Sequence, residues 1–408
     1  MREILKQGSW LFLTQILTRV ISFFYTIYLA KALGISDFGL FIVSLSYFSI
    51  ISAVADFGFN RFLIREVSQD RLKANQLLWN ITILRITLTS ILFAVFALFL
   101  YMFDQDKMRV SLILLATLAI LPQSIGMTFD GIFVAQRKLQ FSSIALFISS
   151  LSNALIGIYL VNSEFGPIGA INALILSQLI FVAVLFFLII KNHGLHFPKI
   201  EISVIKKVTI GSLPYGILGV LGLLYFRIDA ILLSYMKGNI EVGIYGAGFR
   251  FLEAVTVVPS VFFSALFPVF ANMGDEPKKI RALYFKSLKL MAGLGFMIMV
   301  TYLFVLPEVI KIYLPDYLSS TAVISILSLS IPFLLMQASA VSVLLSSDKY
   351  LKQVLMLSIL TLVFNIGLNL IFIPKFGFIA ASWVTVFSEV SSFAIFFLLI
   401  KKKILDKS

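Results

Sequence analysis

Ile171–Ile190 reads INALILSQLIFVAVLFFLII, twenty residues without a charge, a glycine or a proline. At 1.5 Å of rise per residue, about 20 helical residues cross the roughly 30 Å hydrocarbon core of a bilayer. Phe12–Ala30, Leu112–Val134 and Ser325–Leu345 are further stretches of this kind. Together such runs account for nearly all of the 408 residues, 60% of which are hydrophobic, and mean hydropathy reaches +1.02. A soluble domain cannot carry that composition. The chain is expected to be an all-α polytopic membrane protein with about twelve spans, at 8–32, 38–60, 78–103, 108–135, 139–162, 167–191, 208–236, 241–271, 284–306, 319–346, 351–373 and 378–402. The longest polar stretches, around Arg61–Gln76 and Asn272–Lys289, leave no room for a soluble catalytic domain, which argues against an enzyme docked on an anchor. The first apolar run is long and lacks a small-residue cleavage pattern, so it reads as a helix retained in the membrane. With no cysteine, disulfides and thiolate metal sites are excluded.

A formal charge of +13 raises the question of nucleic acid, but the distribution of the cations answers it. With the N-terminus cytoplasmic and twelve alternating spans, the inner loops hold 23 Lys and Arg and the outer loops hold 6. Lys and Arg concentrate on the cytoplasmic side of membrane proteins. Both termini are therefore placed in the cytoplasm and no nucleic-acid partner is expected. The loop at 192–207 falls between spans six and seven and divides the chain into lobes 1–191 and 208–408 of six helices each. His193 and His196 in that loop form a pair without a third ligand, so they read as solvated side chains and no metal site is expected.

The halves repeat. Glu164-Phe-Gly-Pro-Ile-Gly-Ala170 matches Lys375-Phe-Gly-Phe-Ile-Ala-Ala381, and ten of 28 ungapped positions from there are identical. Gly8-Ser9 parallels Gly211-Ser212, and Asp37-Phe-Gly-Leu-Phe41 parallels Glu241-Val-Gly-Ile-Tyr245. Parallel repeats of this kind are a recurrent transporter plan. Pro122, Pro214, Pro259, Pro268 and Pro332 lie inside spans, with Gly216, Gly219 and Gly222, as candidate bends.

A charge at the centre of a membrane helix costs about 2.5 to 3.5 kcal/mol on the mildest scale, so such residues face protein or a wet cavity. Arg19 lies near mid-membrane in span one, Arg227 and Asp229 in span seven, Arg250 and Glu253 in span eight. Two readings stand side by side. Arg250–Glu253 and Arg227–Asp229 pair internally and lock spans seven and eight, or Arg19, Arg227 and Arg250 line a cationic cavity for a polyanion. Guanidinium groups grip phosphate through paired hydrogen bonds at any relevant pH. Asp229 or Glu253 would then titrate or bind a coupling ion, H⁺ or Na⁺. Arg85, Asp56 and Asp130 lie closer to the cytoplasmic surface and are expected to be surface groups. No phosphate-binding GxxxxGK[ST] loop occurs, so ATP is not the energy source in this chain.

Arg227-Ile-Asp-Ala-Ile-Leu-Leu-Ser-Tyr235 followed by Glu241-Val-Gly-Ile-Tyr-Gly-Ala-Gly-Phe-Arg-Phe-Leu-Glu253 resembles the span seven–eight signature of polysaccharide flippases. Phe267-Pro268, Asp56-Phe-Gly-Phe-Asn-Arg61 with Arg65-Glu-Val67, and Asn365 through Pro374-Lys-Phe-Gly377 resemble that family too. The family belongs to the multidrug/oligosaccharidyl-lipid/polysaccharide exporter superfamily. The resemblance implies a V-shaped pair of six-helix bundles working by alternating access, with no cofactor and no catalytic residue. It implies that an undecaprenyl-diphosphate-linked oligosaccharide crosses from the cytoplasmic to the outer leaflet of the cell membrane, the polysaccharide polymerase machinery being a further partner. Arg19 and Arg250 resemble the family's cationic positions, and Arg61 falls in its span-two motif. The chain lacks a second arginine soon after Arg19 and lacks spans thirteen and fourteen, which separates it from the lipid II branch. The rival readings are a drug antiporter, for which carboxylates rather than arginines suit organic cations, and a membrane-embedded transferase, for which the short loops supply no catalytic constellation.

Overall fold

The computed structural model describes residues 2–193, 200–273, 276–346 and 348–403. Among them the regular structure is helical throughout. The helices are α1 (Arg2–Asp56), α2 (Phe59–Gln69), α3 (Ala74–Phe103), α4 (Lys107–Leu118), α5 (Ile120–Ala135), α6 (Leu139–Leu160) and α7 (Gly166–His193). They continue as α8 (Ile202–Lys237), α9 (Asn239–Val255), α10 (Val257–Asn272), α11 (Pro277–Phe304), α12 (Leu306–Tyr313), α13 (Ser320–Ser328), α14 (Ile331–Leu345) and α15 (Leu351–Lys403).

Eight stretches are long and apolar enough to span a bilayer, and α13 with α14 makes a ninth, bent by 43°. Three of the eight, of 44, 54 and 52 residues, run about 66, 81 and 78 Å at 1.5 Å per residue, more than twice a hydrocarbon core. Each is broken near its middle: α1 at Gly34, the α6–α7 junction at Glu164 to Gly166, and α15 at Gly377. Counting those three twice gives the twelve crossings expected from the sequence.

Proline sets the other breaks. Its ring collides with the carbonyl four residues back. Four residues before Pro122, Pro259 and Pro332 stand Leu118, Val255 and Ser328, the last residues of α4, α9 and α13. Pro214 and Pro268 lie inside α8 and α10, where the helix runs on.

The repeat is visible in the backbone. Gly166 (φ 52°, ψ −140°) and Gly377 (φ 56°, ψ −135°) adopt one conformation at equivalent positions, and Gly34 (φ 74°, ψ 170°) pairs with Gly238 (φ 87°, ψ −179°) 204 residues later. Such angles strain any residue with a Cβ. The first pair lies within the matched segments 164–170 and 375–381, and the second three residues before Asp37 and Glu241.

The chain divides into two compact units, residues 1–227 and 228–408, the division falling inside α8 rather than in a loop. In the first unit, Phe59, Phe62, Leu63, Ile81, Phe129, Phe133 and Leu185 belong to one buried core, and Val208 of α8 joins it. Residues 202–207, expected as loop, are helical and extend α8. Glu201 fixes this start: its backbone N–H donates to Asn80 Oδ1 at 2.9 Å, Gln76 Nε2 donates to its carboxylate at 2.9 Å, and its carbonyl accepts from Val204 and Ile205. Lys207 pairs with Glu66 at 3.2 Å. A Cβ on Gly58 would lie 2.6 Å from Gly216 N, so glycine is what lets the Phe57–Gly58 turn lie against α8. In the second unit Phe270, Tyr284, Val343, Leu344, Phe396 and Ile400 form the corresponding core. Large apolar side chains such as Phe99, Phe187, Phe304 and Leu398 remain exposed, as befits surface covered by hydrocarbon rather than water. Residues 194–199, which include His196 and six of the sixteen residues of the expected inter-lobe loop, lie outside the described residues.

Candidate functional site

The second unit holds a carboxylate sealed from water. Asp229, near the end of α8, is 3% exposed. Its Oδ1 accepts from Asn369 Nδ2 at 2.7 Å, and its Oδ2 accepts from the Tyr245 and Thr385 hydroxyls, each at 3.0 Å. Asn369 Nδ2 also donates to Asn365 Oδ1 at 3.0 Å, and Asn365 Nδ2 donates to Ser388 Oγ at 3.2 Å. These residues come from α8, α9 and both arms of α15. Asn365 and Asn369 stand one turn apart and therefore share a face of their helix. Tyr245 is held by stacking on Phe249, ring centres 5.4 Å apart. Asn369 Oδ1 is buried with no hydrogen-bond partner.

Every hydrogen-bond partner of Asp229 is uncharged. Of the two readings kept from the sequence, pairing with an arginine is not what its hydrogen bonds display. Residues two apart on a helix do not face one another, so Arg227 and Asp229 leave α8 in different directions. A buried ion without a counter-ion costs several kcal/mol even after relaxation, and three hydrogen bonds to a charged acceptor return about 1.5–3 kcal/mol each. With Asp229 ionised, the cluster carries a negative charge that no neighbouring cation offsets through a hydrogen bond, and it presents carboxylate, hydroxyl and amide oxygens, the ligand class of hard cations. Among the described residues no group of three His, Cys, Asp or Glu side chains could hold a metal ion.

Arg250 and Glu253 pair with each other through Nη1 and Oε2 at 2.7 Å, both about four-fifths buried. The internal-pairing reading therefore describes these two residues. Arg227 is half-buried, at the end of the first unit.

In the first unit, Arg85 is fully buried, which corrects the expectation of a surface group. Its Nη2 donates to Asp56 at 2.5 Å and its Nη1 to the Ser124 carbonyl at 2.9 Å, while the Phe59 ring centre lies 5.8 Å from its guanidinium carbon. Span three places it in the middle of a helix cluster, so the depth judged from the sequence underestimated its enclosure. Asp56 and Asp130 are half-buried, and Asp130 Oδ1 makes no hydrogen bond. Arg61 and Arg19 are exposed, and Arg19 forms no ion pair among the described residues. The structure thus brings together Arg85 with Asp56 and Arg250 with Glu253, and surrounds Asp229 with residues to which the sequence reading gave no role in the site. The signal for those was present: Asn365 and Asn369, an i, i+4 amide pair in an otherwise apolar span.

Residues 4–274, two thirds of the sequence, match a family described as polysaccharide biosynthesis protein. The chain belongs to that family. A relative of this chain is the uncharacterized membrane protein MJ1068 of Methanocaldococcus jannaschii, 25% identical over 420 residues that cover 94% of this chain and 81% of the relative. Among solved structures, an inward-facing multidrug resistance MATE family transporter of the MOP superfamily superposes with a TM-score of 0.75 at 14% identity, covering 95% of each chain. The lipid II flippase MurJ in an inward closed conformation superposes with a TM-score of 0.73 at 14% identity, covering 96% of this chain and 87% of the other. A MOP superfamily transporter from Pyrococcus furiosus, described as having a binding pocket of reverse polarity, gives 0.67 at 15% identity over 98% and 95%. At these identities the likeness establishes the fold alone: the chain is a multi-pass membrane protein that shares the fold of these solved transporters.

Proposed function

We propose that this chain is a flippase that moves an isoprenoid-diphosphate-linked oligosaccharide from the cytoplasmic to the outer leaflet for surface polysaccharide assembly. Membership of the polysaccharide biosynthesis family, in a chain whose fold is shared with a lipid II flippase, is the observation that carries this reading. A carrier is needed because unsatisfied polar groups cost several kcal/mol each in hydrocarbon. Two six-helix lobes that open in turn to either side replace that barrier with a conformational change. Both termini lie in the cytoplasm on this reading, as the distribution of Lys and Arg argues.

The cargo's diphosphate is assigned to the cationic positions Arg19, Arg227 and Arg250. Arg250 reaches the phosphate by exchanging its bond to Glu253, which leaves Glu253 to take a proton or cation. Asp229 is the first candidate for the coupling ion, H⁺ or Na⁺, because it is an anion held only by neutral donors. The undecaprenyl anchor and a polysaccharide polymerase as downstream partner follow from the family resemblance alone.

The competing reading is an ion-coupled small-molecule antiporter, favoured by the structural likeness to a multidrug transporter. A deletion strain separates the two. Loss of surface polysaccharide with a lipid-linked precursor accumulating in the inner leaflet supports the flippase; normal polysaccharide with altered drug sensitivity refutes it.

A further inference from the structure

The first turns of α11 are built with two opposed faces. Tyr284, Ser287 and Met291 are buried, at 0%, 4% and 2% exposure. Lys278, Lys279, Arg281, Lys286 and Lys289 are all exposed. At about 100° per residue the five cations occupy the arc opposite the buried residues, and Ala282, also exposed, lies in the middle of that arc. Tyr284 belongs to the same buried core as Tyr350 and Val354, near the start of α15, and Phe396 and Ile400, near its end. Three helix segments therefore converge on one end of residues 228–408. Lys349 and Lys352 beside the start of α15 and Lys401 and Lys402 near its end are exposed as well, and α14 packs against both α11 and α15 to join these segments in the one core. Among the side chains described there, Glu276 alone is acidic, and it pairs with Lys279 at 2.7 Å.

Among the described side chains, nine cations stand against one carboxylate, more than solubility at a helix end requires. All but Lys349 lie in the end portions of the apolar stretches of 36 and 52 residues, Lys278–Tyr313 and Leu351–Lys402, and Lys349 lies just before the second. Lys and Arg near an anionic surface each add roughly fivefold to its attraction, and the effect is confined to about one Debye length, roughly 8 Å at 0.15 M salt. Only a surface that these helix ends already touch lies within that distance. We infer that this face binds the headgroups of anionic phospholipids in the leaflet that α11 and α15 enter, and so recruits a local annulus of them around the second unit. The assignment is independent of the flippase reading, since it rests on no residue given to cargo or coupling ion.

The absence of cysteine allows a single probe to be placed cleanly. The full chain carrying Ala282→Cys with a fluorophore is reconstituted in vesicles of phosphatidylcholine and phosphatidylglycerol mixed four to one. Quenching is compared between traces of the two lipids bearing the same quencher on an acyl chain. The expected result is quenching by phosphatidylglycerol stronger by about threefold or more, falling to parity at high salt, as for an electrostatic patch. The variant K278Q/R281Q/K286Q/K289Q should also reach parity, and a probe at Tyr313→Cys, at the far end of the same stretch, should show no preference. The salt titration needs no substitution of the cations, so a misfolded variant does not leave the question open. Equal quenching by both lipids at position 282, or a preference unaffected by the fourfold substitution and by salt, would overturn the inference. So would abolition of the preference by inorganic diphosphate at constant ionic strength, which would make the face a receptor for free polyanions.

Discussion

Asp229→Asn tests the coupling site with little change of shape. The carboxylate accepts three hydrogen bonds, at 2.7, 3.0 and 3.0 Å, from Asn369, Tyr245 and Thr385. At about 1.5–3 kcal/mol per bond to a charged acceptor, these contribute roughly 5–9 kcal/mol. Desolvation of a buried ion opposes them by several kcal/mol. An asparagine keeps its oxygen on Asn369 and turns its amide toward two hydroxyls that can rotate to accept, while the desolvation penalty vanishes. The substitution should therefore change stability by no more than about 1–2 kcal/mol. Its effect on ion linkage should be total. A cation binding the folded state alone stabilises it by about 2.7 kcal/mol at a hundred times its Kd. Thermal unfolding of the purified full chain, in Na⁺ against a bulky cation at constant ionic strength and again across pH, reads that term. For Na⁺ the wild type should melt higher in Na⁺; for H⁺ it should melt higher as pH falls, since the folded state then gains a proton. Asp229→Asn should show neither response while melting near the wild type. An unchanged response in the variant, or none in the wild type, refutes the assignment.

Four further outcomes follow from the same geometry. Arg19→Ala and Arg250→Ala should each abolish surface polysaccharide in a complemented deletion strain while the protein remains in the membrane by immunoblot; wild-type display from both removes them from the cargo path. Arg85→Met should destabilise by about 2–4 kcal/mol, somewhat below the range for a fully buried pair because Asp56 stays partly solvated, and adding Asp56→Asn should recover part of the loss in thermal unfolding. Gly58→Ala places a Cβ 2.6 Å from Gly216 N and Ser212 O at a φ of +78°, and should cost about 2–4 kcal/mol from left-handed strain and overpacking together, read by the same melt. Glu241→Ala, which removes the acceptor for the Phe378 N–H at 2.8 Å, should cost about 1 kcal/mol, as the loss of a helix N-cap does.

How much the chain discloses by itself depends on how local the cause is. Twelve crossings were countable because hydrophobic length against bilayer thickness is a one-dimensional comparison, and the breaks at Pro122, Pro259 and Pro332 follow from a clash spanning four residues. The repeat was legible as matching letters, and its glycine pairs turned out to share backbone angles because the same turn requires the same absent Cβ. Arg250 and Glu253 share a helix face by spacing, so their pairing was an available reading before any coordinates. Asp229 and Arg85 were different. Each was identifiable as an expensive charge, but its partners lie in other helices: Tyr245, Asn369 and Thr385 for the one, Asp56 and the Ser124 carbonyl for the other. A buried charge is stabilised by whichever dipoles packing brings within about 3 Å, and side chains 140 or 156 residues away along the chain are chosen by helix–helix packing alone. The amino-acid order determined that this protein crosses a membrane about twelve times and that its sequence repeats; only the tertiary structure decided which of its intramembrane charges meet an opposite charge and which are held by neutral hydrogen-bond donors, because those partners are brought in by helix packing.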